Sequence, residues 1–452
     1  MSAKDLFYGN ILKQIIVMGL PTAIGFSFQM FYDLVDLYWI GKISTSAIAG
    51  VGIFSTIFWV VEALNEIIGV SSISLISQSY GKRNVDRTNS VIEQTIAFKF
   101  LVAIVGSVVL LLFLKPIFYL FTNERNVLEL GLKYGYLRIF FLPIMFSSFS
   151  INTAFRSIGD SKTPMIIMII SSILNIILDP ILMFDKIFIF RGFNLGVSGA
   201  AIATIISQVF SFVVGFYILF SGVEGVRPRI SGLFRLDFEI DKKLITIGLP
   251  NGFEVLMRNL SGVMILYFVS KYGKEVISAY TIGNRIFGFA FMPLFGILMG
   301  SSAIVGQSLG AEKVERAERV SKIAGWLTTI VSLIFVCIIV IFSKEFIDLF
   351  SNDYEVIKNG VLFLRYSVWG LLFLAYGLGI SIAFTGSGYN IPFLFMSLIS
   401  RWIVQIPLMY FVVMVFKLPV IWLWISFAFG DFMEYIVSIY FFKKGKWKVV
   451  RV

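Results

Sequence analysis

The chain has 452 residues, of which 58% are hydrophobic and 14% charged, and its mean hydropathy is +0.89. Soluble domains carry about 25% charged residues, so this composition excludes a soluble fold and points to a bilayer. Histidine is absent and cysteine occurs once, at Cys337, which excludes imidazole acid–base chemistry, His/Cys metal sites and an internal disulfide.

A spanning helix needs roughly 20 mostly apolar residues. Twelve stretches qualify in chain order: 12–40, 46–76, 92–114, 134–158, 163–184 and 196–221, then 241–270, 276–306, 319–343, 360–385, 391–416 and 418–442. The opening MSAKDLFYGN is polar and no small-residue cleavage site follows, so the first apolar stretch is expected to be a span and not a signal peptide. Lys and Arg concentrate at both termini and in the even-numbered loops, as at Lys82/Arg83/Arg87, Arg227/Arg229/Arg235 and Lys443/Lys444/Lys446/Lys448. That bias predicts cytoplasmic termini. It also accounts for the net charge of +11 without a nucleic-acid partner.

The chain repeats itself at a shift of 229 residues. Lys13-x-x-Ile16-x-x-Gly19-Leu20-Pro21 recurs as Lys242-x-x-Ile245-x-x-Gly248-Leu249-Pro250. Gln78-Ser79-x-Gly81 recurs as Gln307-Ser308-x-Gly310, and Ala154-Phe155 with Gly159 recurs as Ala383-Phe384 with Gly388. Each copy holds six spans, an even number, so the two copies cross the membrane in the same sense. The expected fold is an all-α membrane protein of twelve helices in two parallel six-helix repeats around a central cleft. The lobes are expected at 1–225 and 226–452, rocking to give alternating access.

A charge at the bilayer centre costs at least about 2.5–3.5 kcal/mol, so each intramembrane acid calls for a reason. Asp36 aligns with Ile265 of the second copy, and Asp179 aligns near Ile406. The repeat therefore does not need these acids for folding. Asn175 and Asp179 are spaced i,i+4 on one helix face, and Pro180 frees a backbone carbonyl nearby. Carboxylate, amide oxygen and carbonyl together suit a proton or a hard cation such as Na⁺, or helix-packing hydrogen bonds. Asp33 is expected in a supporting or interface role beside Asp36. Gln29 shares the Asp36 face, and Pro21 is expected to kink the first helix. Glu62 and Glu66 share a face of the second span. Glu254 and Arg258, also i,i+4, form a local ion pair or contact substrate.

These features resemble the multidrug and toxic compound extrusion (MATE) transporters. The likeness lies in Gly-Leu-Pro opening both halves, Trp39-Ile40-Gly41 ending the first span after Asp36, Gln-Ser-x-Gly after the second and eighth spans, and Gly159-Asp160-x-Lys162-x-Pro164 before the fifth. The resemblance implies a monomeric antiporter without a cofactor, exporting cationic or amphipathic small molecules in exchange for H⁺ or Na⁺ across a prokaryotic inner membrane. Asp36 and Asp179 match the essential acids of its DinF-like branch, with Asn175 and Thr204 as their polar partners and, for Na⁺, co-ligands. Gln29 and Asn152 match cavity-lining polar residues. The tenth span carries no Asp or Glu, unlike the NorM-like branch, and Glu254 is the remaining candidate for a cation site in the second half. The alternative is a lipid-linked oligosaccharide flippase of the same superfamily, whose cavity would be lined by several Arg or Lys. An enzyme is not expected, since no nucleophile–base pair or metal ligand set is present.

Overall fold

The computed structural model describes residues 6–187 and 190–452; the first five residues of the polar N-terminal segment lie outside that range. The first half contains α1 (Ile11–Ile43), α2 (Thr45–Gly81), α3 (Val85–Phe121), α4 (Arg125–Phe140), α5 (Leu142–Ser157), α6 (Lys162–Met183) and α7 (Val197–Ser221). The second half contains α8 (Phe238–Ser270), α9 (Lys274–Gly310), α10 (Val314–Ile341), α11 (Ser343–Asp348), α12 (Tyr354–Ser367), α13 (Gly370–Ser387), α14 (Ile391–Ser397), α15 (Ile406–Tyr410) and α16 (Val420–Lys444). A two-residue antiparallel ladder, β1 (Lys186–Ile187) with β2 (Phe190–Arg191), follows α6. Among the described residues ten helices are long and apolar enough to cross a membrane, and two bent pairs raise the number to twelve. The protein is an all-α membrane protein, and each expected span falls on one of these helices or pairs.

Three details differ from the sequence reading. The fourth span is two helices, α4 and α5, meeting at a 53° bend; Pro143 in the first turn of α5 cannot donate to the preceding turn. The tenth expected span covers α12 and α13, which break at Val368–Trp369. The eleventh is wound as π-helix over Leu398–Gln405 and Phe411–Val415, on either side of the helix-disrupting Pro407.

The repeat is visible in local geometry. Lys82 N–H donates to Gln78 O, Arg83 N–H to Tyr80 O and Asn84 N–H to Ser79 O; Ala311, Glu312 and Lys313 donate in the same way to Gln307, Leu309 and Ser308. Arg83 and Glu312 both adopt positive φ, 57° and 61°. The Gln-Ser-x-Gly motif thus ends a helix with left-handed backbone. Gly159 (φ +98°) and Gly388 (φ +80°) occupy equivalent left-handed turns, where a side chain would be strained.

The packing divides into two compact units, Ile24–Gly248 and Leu249–Val452, the second also taking the start of α1 through Ala23. The sequence places the division at 225/226, in the connecting loop; the packing division falls inside α8. The Gly-Leu-Pro motif explains why. A Cβ on Gly248 would lie 1.6 Å from the Ile67 carbonyl oxygen, and one on Gly19 would lie 3.1 Å from Ile297 Cα. Each glycine lets the first turns of its helix seat against α2 or α9, so α8 begins in the first unit and α1 in the second. Ile15 and Met18 accordingly join the core of Ile297, Ile304, Val305 and Ala324. In the first unit, α2, α3 and α4 close around Phe54, Leu114, Phe118 and Tyr134.

Close packing of this kind has a measurable cost when filled, about 1–3 kcal/mol or more for an inserted side chain. Gly248→Val is expected to lower the melting temperature of the detergent-solubilised protein. Gly262→Val, where nothing lies within 4 Å of the added Cβ, serves as control and is expected to leave it in place.

Candidate ion and substrate cavity

The first unit contains a cavity of about 530 Å³. α1 lines it with Phe26, Gln29, Tyr32, Asp33 and Asp36; α2 with Phe58, Trp59, Glu62, Asn65 and Glu66; α4 with Tyr134 and Arg138. α5 adds Phe149, Asn152 and Arg156, and α7 adds Thr204 and Gln208. The wall is aromatic and the polar groups are few and convergent, as in small-molecule sites.

Asn175 and Asp179 lie behind this wall on α6, both 0% exposed. With its amide oriented so that both ends are paired, Asn175 donates to Asp179 Oδ2 at 3.2 Å and accepts from the Thr204 N–H at 3.3 Å. The Thr204 hydroxyl donates to Ala200 O at 3.0 Å. This clamp ties Asp179 to α7 and leaves its Oδ1 buried with no hydrogen-bond partner. Asp36 Oδ1 is likewise buried and unpartnered, and the two carboxylates interact through space. Asp33 and the Arg138 guanidinium complete the charge cluster. Among the described residues no three His, Cys, Asp or Glu group as a metal site. The acceptors left open here are one oxygen each of Asp36 and Asp179, held beside the Asn175 amide and the Thr204 hydroxyl.

The structure brings Asp36, Asn175, Asp179 and Thr204 into one neighbourhood, with Gln29, Asp33 and Asn152 on the cavity wall. Glu254 is not among the residues lining this cavity. It belongs to the second unit, where Arg258 Nε donates to Glu254 Oε1 at 2.5 Å and Arg258 Nη2 to Glu434 Oε1 at 2.9 Å. Arg401 Nη2 binds Asp431 Oδ1 at 3.0 Å, and its Nη1 donates to Gln405 Oε1 at 2.6 Å. Ser400 donates to Glu434 Oε2 at 3.4 Å. Every acid of this network has an arginine, in contrast to the first unit.

The cavity wall carries two basic residues beside its acids. Arg138 lies over the rings of Tyr134 and Phe58, at 5.8 and 5.9 Å, and Arg156 lies 5.7 Å from the Phe26 ring. Both belong to the fourth expected span. A basic residue inside an apolar run is the same signal that picked out the acids, and it marked them equally.

Fold and site together describe a multi-span membrane protein built from two repeats, with a polar cavity in the first. The MatE family profile matches the chain twice, over residues 21–181 and 250–411, at the spacing of the internal repeat. The chain belongs to the MATE family, whose members are transporters and not enzymes. It is 27% identical to the probable multidrug resistance protein YoeA of Bacillus subtilis, covering 97% of this chain and 95% of that protein. It is also 27% identical to the probable multidrug resistance protein NorM of Thermotoga maritima, over 97% and 94%. An outward-facing multidrug resistance MATE transporter structure superposes with a TM-score of 0.91 at 23% identity, covering 98% of both chains.

The paired network of the second unit generates a stability prediction. Removing one partner of a fully buried ion pair costs about 3 kcal/mol; the Arg258 side chain is 38% exposed and Arg401 stays near Glu434, so solvent screening lowers that cost here. Arg258→Met is expected to lower the melting temperature, and Arg258→Met with Glu434→Leu to recover much of that loss in a double-mutant cycle.

Proposed function

We propose that this chain is a secondary active multidrug efflux transporter, an antiporter that exports cationic or amphipathic small molecules in exchange for H⁺ or Na⁺. The observation that carries this reading is the pair of buried, unpartnered oxygens on Asp36 and Asp179 beside an aromatic-lined cavity. A buried carboxylate without a partner is expensive, and binding a proton or Na⁺ removes that cost. An entering cation competes for the same charge, and this competition is what exchange requires. The names of the relatives support multidrug substrates, and the acids in the first half favour the DinF-like arrangement.

In this reading the two lobes, 1–225 and 226–452 in the sequence division, alternate access, with Pro21 as the bend point of α1. Asn175 and Thr204 hold Asp179 in place. Gln29, Asn152 and Asp33 contact substrate, while Glu254 is held by Arg258. The protein works as a monomer in the cytoplasmic membrane with both termini inside, as the Lys/Arg bias supports. Arg138 and Arg156 on the cavity wall favour one second reading, a flippase for an anionic lipid-linked oligosaccharide. The wall carries four carboxylates against these two guanidinium groups, which favours cations.

Two outcomes check this. Asp36→Asn and Asp179→Asn are each expected to abolish export of ethidium from cells while leaving membrane insertion and detergent stability intact. Wild-type export by both variants contradicts the coupling role. In proteoliposomes, tetraphenylphosphonium uptake is expected to follow an imposed ΔpH or an imposed Na⁺ gradient. Uptake driven by neither contradicts antiport.

A further inference from the structure

A second polar cluster lines the same cavity from α2. Glu62, Asn65 and Glu66 stand at i, i+3 and i+4 on α2, one helix face, and all three line the cavity. Asn65 Nδ2 donates to Glu62 Oε2 at 2.9 Å. Asn65 is 4% exposed, and its Oδ1 has no hydrogen-bond partner. A buried amide oxygen left without a donor costs about 1–3 kcal/mol, and its residue lines a cavity large enough to admit one.

Cations from α3, α4 and α5 accompany this cluster. Lys99, on α3, is 0% exposed and faces Glu66 and Glu62 electrostatically. Its ammonium makes no hydrogen bond and sits over the Phe149 ring at 4.6 Å and the Phe146 ring at 5.8 Å. Gly69 keeps this niche open, since a Cβ there would stand 3.0 Å from Phe149 and 3.5 Å from Lys99 Nζ. Lys99 is not among the lining residues, so it balances charge from the protein side and leaves the cavity side to acceptors. Arg156, on α5, donates to Thr153 Oγ1 at 3.3 Å, and Arg138, on α4, faces Glu62 only through space.

We propose that Glu62, Asn65 and Glu66 form an ammonium subsite that reads the N–H groups of a protonated primary or secondary amine on the substrate, separately from the coupling acids. Oxygen acceptors one turn apart match the diverging N–H donors of an ammonium group. A quaternary ammonium offers none and gains only charge attraction and the aromatic wall. The subsite therefore sets which cations are preferred, and Asp36 and Asp179 set what they are exchanged for. This deepens the antiport reading and rests on it in taking the cavity as the substrate's path.

The test is direct binding to the purified full chain by isothermal titration, which does not depend on transport. The probes are 1-naphthylmethylammonium and its N,N,N-trimethyl counterpart, which differ in N–H donors. Wild-type protein is expected to bind the primary ammonium about tenfold more tightly, the scale of charge-assisted hydrogen bonds. Glu62→Gln with Glu66→Gln is expected to bring the two within about twofold, and Asn65→Asp to widen the gap. Equal or tighter wild-type binding of the trimethyl compound overturns the proposal without any variant, as does a preference that persists in folded Glu62→Gln/Glu66→Gln protein. A wild-type preference without gradient-driven uptake refutes antiport and leaves the subsite standing.

Discussion

A carboxylate withdrawn from water into a helical bundle must be paired, protonated or given a cation, because its solvation cannot be replaced by hydrocarbon. The second half of this chain meets that constraint with arginines. Arg258 and Arg401 between them hold Glu254, Glu434 and Asp431, and the resulting network is closed. The first half leaves oxygens of Asp36 and Asp179 without partners, and its guanidinium groups lie over aromatic rings. One repeat therefore pairs its buried charges, and the other leaves two carboxylate oxygens unpaired, which in the proposed reading are taken by a proton or a cation.

The backbone constraints are shared by both copies. The Gly-Leu-Pro segments, the left-handed residues after the Gln-Ser-x-Gly motifs and the turns at Gly159 and Gly388 recur with matching geometry. The segments leading into α1 and α8 are also fastened alike. Arg316 donates to the carbonyls of Leu6 and Tyr8 and to Gln14 Oε1. On the other side, Glu93 and Gln94 of α3 accept from the backbone N–H groups of Arg229 and Asp237. What repeats is what the fold needs, and what differs is where function is sought.

Much of this was legible in the sequence because apolar length and a 229-residue self-similarity depend on composition and order alone. The acids stood out for the same reason, as polar letters in apolar runs absent from the partner repeat. Arg138 and Arg156 carry the same signal, as basic letters in an apolar run. The clamp of Asn175 between Asp179 and Thr204 could be half read: the i,i+4 spacing gives the first pair, and only the packing of α6 on α7 gives the second. The 53° bend between α4 and α5, which ends α4 just past Arg138, left only a proline in the sequence. The winding around Pro407 gave no periodic signal, since π-helix differs from α-helix in hydrogen bonding and not in composition.

The central claim is that Asp36 and Asp179, each with one unpartnered buried oxygen, hold a cation that substrate displaces. The most direct test is to titrate tetraphenylphosphonium into purified protein in weakly buffered detergent solution while recording pH and, in Na⁺ medium, free Na⁺. Wild-type protein should release protons or Na⁺ as the ligand binds, and Asp179→Asn should bind without that release. Ligand binding by the wild type with no cation released, or the same release from Asp179→Asn, would contradict the account.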